Sequence, residues 1–252
     1  IMKTITKISI IMPNYNSQNY LRETIKSITQ QTYQNWELII VDDNSNIKTK
    51  NILKSFKNNK RIKVFFLKQN KGDGYCRVYG IKKSKSRIIA FIDSDDLWTK
   101  NKLKKQLDFM QKNRFIFTYT NYIPFKSKNI YLKEIKPPKK FDFNSFIKNS
   151  SIATSSIMMK KEILKNIKLC MSPNFEDYYL KCQALKKAKN AHCLQENLLK
   201  YRIKENSLSK NKLRNVFWLW RINRKFNKLN FITSLYSLFF ISLNSLKKYG
   251  IK

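Results

Sequence analysis

An α/β fold is predicted, with a mostly parallel central sheet, flanking helices and a helical C-terminal extension. Two observations carry it. Short runs of Ile and Val stop abruptly at turn residues, and the segments between them place apolar residues at helical spacing. A third observation concerns charge. Seven of the 16 acidic residues sit in three tight clusters: Asp42-Asp43, Asp93-Ser94-Asp95-Asp96 and Glu176-Asp177.

The elements follow in order. Lys7–Met12 is a β-branched run closed by Pro13, so a strand ends there. Ser17–Gln31 carries Tyr20, Leu21, Ile25 and Ile28 on one helical face. Trp36–Val41 is a second strand, closed by Asp42-Asp43-Asn44-Ser45. A helix over Ile47–Phe56 and a strand over Ile62–Leu67 come next. Asn70–Gly74 is a loop holding two of the chain's four glycines, followed by a helix over Tyr75–Lys83 and a strand over Arg87–Ile92.

The second half is less regular. A helix over Leu103–Phe109 and a short strand over Ile116–Tyr119 precede the break at Pro137-Pro138, after which Phe141–Ile147 follows. Thr154–Met159 is strand-like, Tyr178–Lys187 helical and Leu198–Arg202 a final strand. From Ser209 the chain turns helical to its end. Strands rich in Ile and Val that alternate with helices belong to a sheet covered on both faces. Ligands of such sheets bind beyond the carboxyl ends of the strands. Asn14-Tyr15-Asn16, Asp42-Asp43 and Asp93–Asp96 each follow a strand directly, so all three meet on one edge.

Composition narrows the class. With 42% hydrophobic and 13% aromatic residues the chain can build a core. Lys and Arg number 52 against 16 acids, a formal charge of +36. Codon bias of an AT-rich genome gives many Lys and Asn; attraction to an anionic membrane surface gives the same balance. No recognition motif accompanies the charge, so nucleic acid is not an expected partner. Cys76, Cys170, Cys182 and Cys193 form no C-x-x-C pair, and His192-Cys193 has no further ligand at metal spacing. Idle thiols fit a reducing cytoplasm. Ile8–Met12 is too short for a secretory leader, and Phe231–Leu243 is too short and too rich in Ser to span a bilayer. Residues 204–252 hold eleven Lys or Arg and one acid, Glu205, with Phe217, Trp218 and Trp220 among them. Basic and aromatic residues mixed on helices suit a membrane interface; the same pattern serves a helical pair packed on the main domain with a solvated basic face. Nothing in the sequence fixes an oligomeric state.

The acid clusters carry the chemistry. Adjacent carboxylates raise one another's pKa, and a fold tolerates them where a cation or a proton-transfer role compensates. D-x-D after a strand can present two carboxylates to Mg2+ or Mn2+. Asp42-Asp43 can accept hydrogen bonds from a base or ribose, or cap a turn. Glu176-Asp177 opens a helix, where one acid is a helix cap and a second is free to act as a general base.

These segments together resemble a known family. SIIMPNYNSQNYLRETIKSITQQTYQNWELIIVDDNS looks like the opening of the family 2 glycosyltransferases, inverting enzymes of the GT-A fold. NKGDGYCRVYGIKKSKSRIIAFIDSDDLW looks like their next block, NFEDYYLKCQALKKAKNA like their E-D helix, and LLKYRIKENSLS like the strand after it. The resemblance covers roughly residues 7–209. It implies a GT-A catalytic domain over 1–208, with a nucleotide-binding half (1–98), an acceptor-binding half (99–208) and a basic helical extension over 209–252.

It also implies roles. Pro13, Asn14 and Tyr15 would sit by the nucleotide, and Asp43 or Asp42 would contact the base. Arg77 would lie near the diphosphate. Asp93, beside Ser94, would approach the ribose and a divalent cation (Mn2+ or Mg2+), which Asp95 would bind. Asp177 would be the general base, supported by Glu176, and Tyr201-Arg202 would close the site. The implied reaction moves a hexosyl or N-acetylhexosaminyl group from a nucleotide sugar, most often a UDP-sugar, to a glycan or lipid-linked glycan at the inner face of the cytoplasmic membrane. Ile47, Cys76, Val78 and Lys204 depart from the family pattern. The rival expectation is a degenerate module that binds nucleotide sugar without turnover.

Overall fold

A computed structural model describes residues 6–127, 130–169, 175–204 and 212–249. Cys170, Glu205 and the 208/209 boundary lie outside them. The strands are β1 (Ile8–Asn14), β2 (Trp36–Asp42), β3 (Ile62–Phe66), β4 (Ile88–Phe91), β5 (Leu97–Trp98), β6 (Phe117–Ser127), β7 (Ile130–Tyr131), β8 (Lys140–Phe141), β9 (Met158–Lys160) and β10 (Ala191–Arg202). The helices are α1 (Leu21–Thr29), α2 (Ile47–Lys54), α3 (Asp73–Lys83), α4 (Lys102–Lys112), α5 (Phe143–Phe146), α6 (Glu176–Ala188), α7 (Lys212–Arg221) and α8 (Phe231–Tyr249).

One sheet runs β3-β2-β1-β4-β9-β6-β10-β5, with β7 beside β6 and β8 beside β10. β1 pairs in parallel with β2 and β4, β2 with β3, and β6 with β10. β9 lies antiparallel between β4 and β6, and so turns the two parallel blocks the same way. Every residue of β1, β2 and β4 is buried. That is why they read as unbroken apolar runs. Ile8, Ile10 and Met12 face one core with α1 and α4, through Leu21, Ile25, Leu103 and Leu107. Ile11, Ile39 and Phe91 face the other, with Cys76 of α3 and Tyr178 and Leu185 of α6.

The structure departs from expectation in the second half. β6 runs on to Ser127 because Thr118, Thr120 and Asn121, which look like solvent residues, are buried in the sheet. β10 begins at Ala191; the polar stretch 195–197 that hides its start coincides with register shifts against β6 between Leu194 and Leu199. Thr154–Ser156 is a 3-10 turn rather than a strand, and pairing starts only at Met158. His192 stacks its ring on Phe115 at 3.7 Å.

α7 and the π-helical turn after it (Ile222–Phe226) join the core of α6 through Leu219, Ile222 and Phe226, and α8 adds Leu238 and Ile241. Among the described residues no helix is long and apolar enough to cross a membrane.

One core residue is out of character. Lys102 of α4 is fully buried over the Trp98 ring, at 3.8 Å, and its Nζ has no hydrogen-bond partner among the described residues. Burial alone drives its pKa well below the usual lysine range. Removing an unsatisfied buried amine while keeping the stem is stabilising. Lys102→Met is expected to raise the free energy of unfolding by roughly 1–3 kcal/mol at neutral pH in a denaturant titration.

Candidate active site

The sheet delivers the expected residues to one edge. Asn14 at the end of β1 lies opposite Asp42 at the end of β2. β4 ends at Phe91, just before Asp93, and β10 ends at Arg202. α6 reaches the same edge, because Glu176 lies against the loop that opens α3: a Cβ on Gly74 would fall 2.6 Å from the Glu176 Cβ. Gly72, at φ 84°, makes the turn before it.

Not every expected residue faces outward. Asn14 is buried and donates from Nδ2 to Asp42 Oδ1 at 2.7 Å, while Asp42 Oδ2 accepts from the Ser45 backbone at 3.1 Å. These two shape the loop from behind. Asp43 accepts the backbone N–H groups of Lys71 (2.7 Å) and Gly72 (2.8 Å), and so fixes the glycine loop to β2. Pro13 is buried inside β1, whereas Tyr15 stands half exposed at the rim.

Arg77 is where two of the acid clusters meet. Its guanidinium is buried and donates to Asp93 Oδ1 at 2.7 Å, with Asp73 Oδ2 at 3.8 Å. Its charge also bears on the carboxyls of Glu176 and Asp177. The Nε–H of Arg77 is buried without a partner among the described residues.

The D-x-D turn is held from three sides. Thr24 donates to the Ser94 carbonyl at 3.1 Å. Asp95 pairs through Oδ2 with Lys204 Nζ. Asp96 is buried and accepts Ser155 Oγ (2.5 Å) and the Arg202 backbone N–H (2.8 Å); burial, then the charges of Asp95 and Asp93, push its carboxyl well above the usual range. Arg202 also donates from Nε to the Asp95 carbonyl and from Nη2 to Glu23, each at 2.7 Å. Tyr201 beside it packs on Tyr122.

Glu176 and Asp177 are adjacent but differ. Asp177 Oδ2 accepts from Thr154 Oγ1 and from Lys181 Nζ, each at 2.8 Å, and the carboxylate stays about a third exposed. Burial would raise its pKa; Lys181 first, and Arg77 next, more than reverse this and hold it well below the usual carboxylate range. Glu176 has no such lysine. Burial pushes its carboxyl up to about 7, with Arg77 pulling the other way. The pair thus sets an always-ionised acid beside one that titrates near neutrality.

Sequence reasoning missed the parts played by four residues. Lys181 lies one helical turn after Asp177, a spacing that could have revealed it. Ser155 and Thr154 sit in the turn mistaken for a strand. Asp96 was read only as part of its cluster; its burial could not be seen locally.

A folded-state pKa raised above the ordinary 4.5 means that the fold favours protonated Glu176. That contribution is complete below about 4.5 and is lost as pH rises through about 7. In the donor-free protein, Glu176→Gln is expected to match wild-type stability at the acid end of this window. It should exceed it by roughly 1–3 kcal/mol above the window, as read by denaturant titrations at successive pH values.

The glycosyl transferase family 2 pattern matches residues 9–168. The chain is 32% identical to TuaG of Bacillus subtilis (strain 168), named for teichuronic acid biosynthesis, over 243 residues and 96% of both chains. It is 34% identical to Escherichia coli WfgD, a UDP-Glc:alpha-D-GlcNAc-diphosphoundecaprenol beta-1,3-glucosyltransferase by name, over 85% of this chain and 84% of that one. Of solved structures, S. aureus TarS superposes with a TM-score of 0.72 at 19% identity, over 96% of this chain and 72% of that one. The mannosyltransferase PcManGT from Pyrobaculum calidifontis, in complex with GDP-Man and Mn2+, gives 0.69 at 12% identity over 99% and 77%. Those two likenesses speak for the GT-A fold alone. A family pattern spanning well over half the chain, on a sheet whose edge gathers the acid clusters, makes this protein a glycosyltransferase of family 2.

Proposed function

We propose that the chain is an inverting, cation-dependent transferase. It moves a sugar from a nucleotide donor, a UDP-sugar by preference, to a hydroxyl of a lipid-linked glycan at the cytoplasmic face of the membrane, in surface-polysaccharide assembly. The observation that carries this is the meeting of two of the acid clusters, with Asp73, around Arg77 at the carboxyl edge of the sheet. The donor and acceptor assignments lean on the relatives, of which WfgD is named for a UDP-Glc donor and a diphosphoundecaprenol-linked acceptor.

The chemistry follows from the positions. Tyr15 and the glycine loop held by Asp43 border the nucleotide. Arg77 supplies positive charge toward the diphosphate. Asp177 takes the proton from the acceptor hydroxyl as its oxygen attacks the anomeric carbon and the nucleoside diphosphate departs from the opposite face. One displacement inverts the centre without a covalent intermediate. Lys181 and Thr154 keep the Asp177 carboxylate ionised and aimed, and Glu176 supports the acceptor side.

Among the described residues no three Asp, Glu, His or Cys converge as a ready-made metal site. Asp93 and Asp95 nevertheless offer hard oxygen ligands to Mn2+ or Mg2+, which commonly take one or two carboxylates with phosphate oxygens and water. Bound there, the cation would stabilise charge on the leaving diphosphate as a Lewis acid. Lys204 occupies Asp95 and must give way to it.

Three experiments test this. Calorimetry and turnover against a panel of nucleotide sugars with Mn2+ should find one donor whose binding needs the cation. Asp177→Asn should then keep that binding and lose transfer by about 100-fold or more. Wild-type turnover in Asp177→Asn would remove it from the base role, and loss in Glu176→Gln alone would hand the role to its neighbour. A protein that binds donor but never turns over would be the degenerate module. Lys204→Ala should tighten Mn2+ a few-fold in the presence of UDP, by calorimetry, by removing the competing ammonium.

A further inference from the structure

α8 packs Leu238 and Ile241 on the core beside two buried serines and leaves other large apolar residues outside. Its polar Ser234 and Ser237 point inward, the first to the Asn230 carbonyl at 2.8 Å and the second to the Ile147 carbonyl at 2.5 Å. Its large apolar residues Phe231, Ile232, Leu235, Tyr236 and Phe239 point outward along one stripe. Ile232 is 75% exposed and Phe239 60%. Phe217 of α7 is exposed too, and Phe231 meets Trp220 edge to face, so the stripe continues across both helices. A helix in water ordinarily does the reverse. Contiguous exposed apolar surface of this kind marks a site of contact.

The surroundings say with what. Arg221, Arg224, Lys225 and Lys228 are exposed around the turn between the helices, and residues 206–252 contain no acid. Arg221 and Arg224 lie over Trp218 and Trp220 at 5.1 and 5.9 Å, bringing cation and indole together. A second copy of this chain, at +36, would repel; an anionic bilayer complements both the charge and the apolar stripe. Trp and Tyr at the margin of such a stripe suit the headgroup zone.

We infer that the α7–α8 hairpin lies in the surface of an anionic lipid bilayer, apolar stripe inserted and Arg221, Arg224, Lys225 and Lys228 among the headgroups. The hairpin is fastened to the helix that carries Glu176 and Asp177. Tyr178 Oη donates to Asn223 Oδ1 at 3.0 Å, and Asn223 Nδ2 donates to Ser237 Oγ at 2.8 Å. Docking therefore fixes the height of α6 above the lipid, where a lipid-linked hydroxyl would be presented. The surface stands on the fold and not on the assigned reaction.

The test is flotation of the full chain with vesicles of phosphatidylcholine, alone or mixed with phosphatidylglycerol, without donor or acceptor. The wild type should float with the mixed vesicles, keep part of that binding in high salt, and shift its tryptophan emission to the blue. The triple variant Ile232→Ser, Leu235→Ser, Phe239→Ser keeps every charge and removes only exposed side chains. It should bind at least about tenfold more weakly while melting like wild type and keeping its donor binding. Wild-type vesicle binding by the triple variant would reduce the effect to bulk charge and overturn the inference. A wild-type dimer that the triple variant splits, with vesicle binding unchanged, would make the stripe a subunit contact instead.

Discussion

Arg77 resolves a conflict that the topology creates. Parallel strands bring sequence-distant carboxylates to one edge, and carboxylates in one place repel. Burying a guanidinium among them offsets the repulsion. Burial disfavours the arginine's charge, but Asp93, Asp73 and Asp177 more than restore it. The arrangement holds only as a whole: a buried arginine without its acids, or the acids without it, would be strongly destabilising. The site thus holds cations of its own, Arg77, Lys181 and Lys204, against its acids before any ligand arrives.

A second group of acids is structural. Asp42, Asp43 and Asp96 are buried and accept hydrogen bonds from the loops that surround the cleft. Asp96 alone joins the turn after β4, the 3-10 turn at Ser155 and the end of β10. Its cluster neighbours Asp93 and Asp95 hold cationic side chains instead. One run of four residues therefore holds a scaffold acid, Asp96, beside two acids that pair with cations, Asp93 and Asp95.

The first half of the fold was legible because β1, β2 and β4 are buried on both faces, and such strands announce themselves as Ile and Val runs. The second half was not. β6 buries Thr118, Thr120 and Asn121, and the side-chain partners of Thr118 and Asn121 come from elsewhere, Gln106 for the first and Cys193 for the second. Local sequence holds no trace of those partners. The same limit applied at the site. The acid clusters could be found by spacing, but which members are exposed depends on neighbours far along the chain: Asn14 for Asp42, Lys71 for Asp43, Arg202 for Asp96. Lys181 was in plain view at i+4 of Asp177, and its effect on that carboxylate depends on burial that only the packed structure supplies.

The contact between Gly74 and Glu176 makes two distant segments hereditary partners. No side chain fits at 74 while Glu176 keeps its place, since even a methyl group would overlap the glutamate's own Cβ. A substitution at 74 therefore cannot drift in quietly; it must arrive with a displacement of the helix that carries Glu176 and Asp177. The glycine loop and the first turn of α6 change together or not at all.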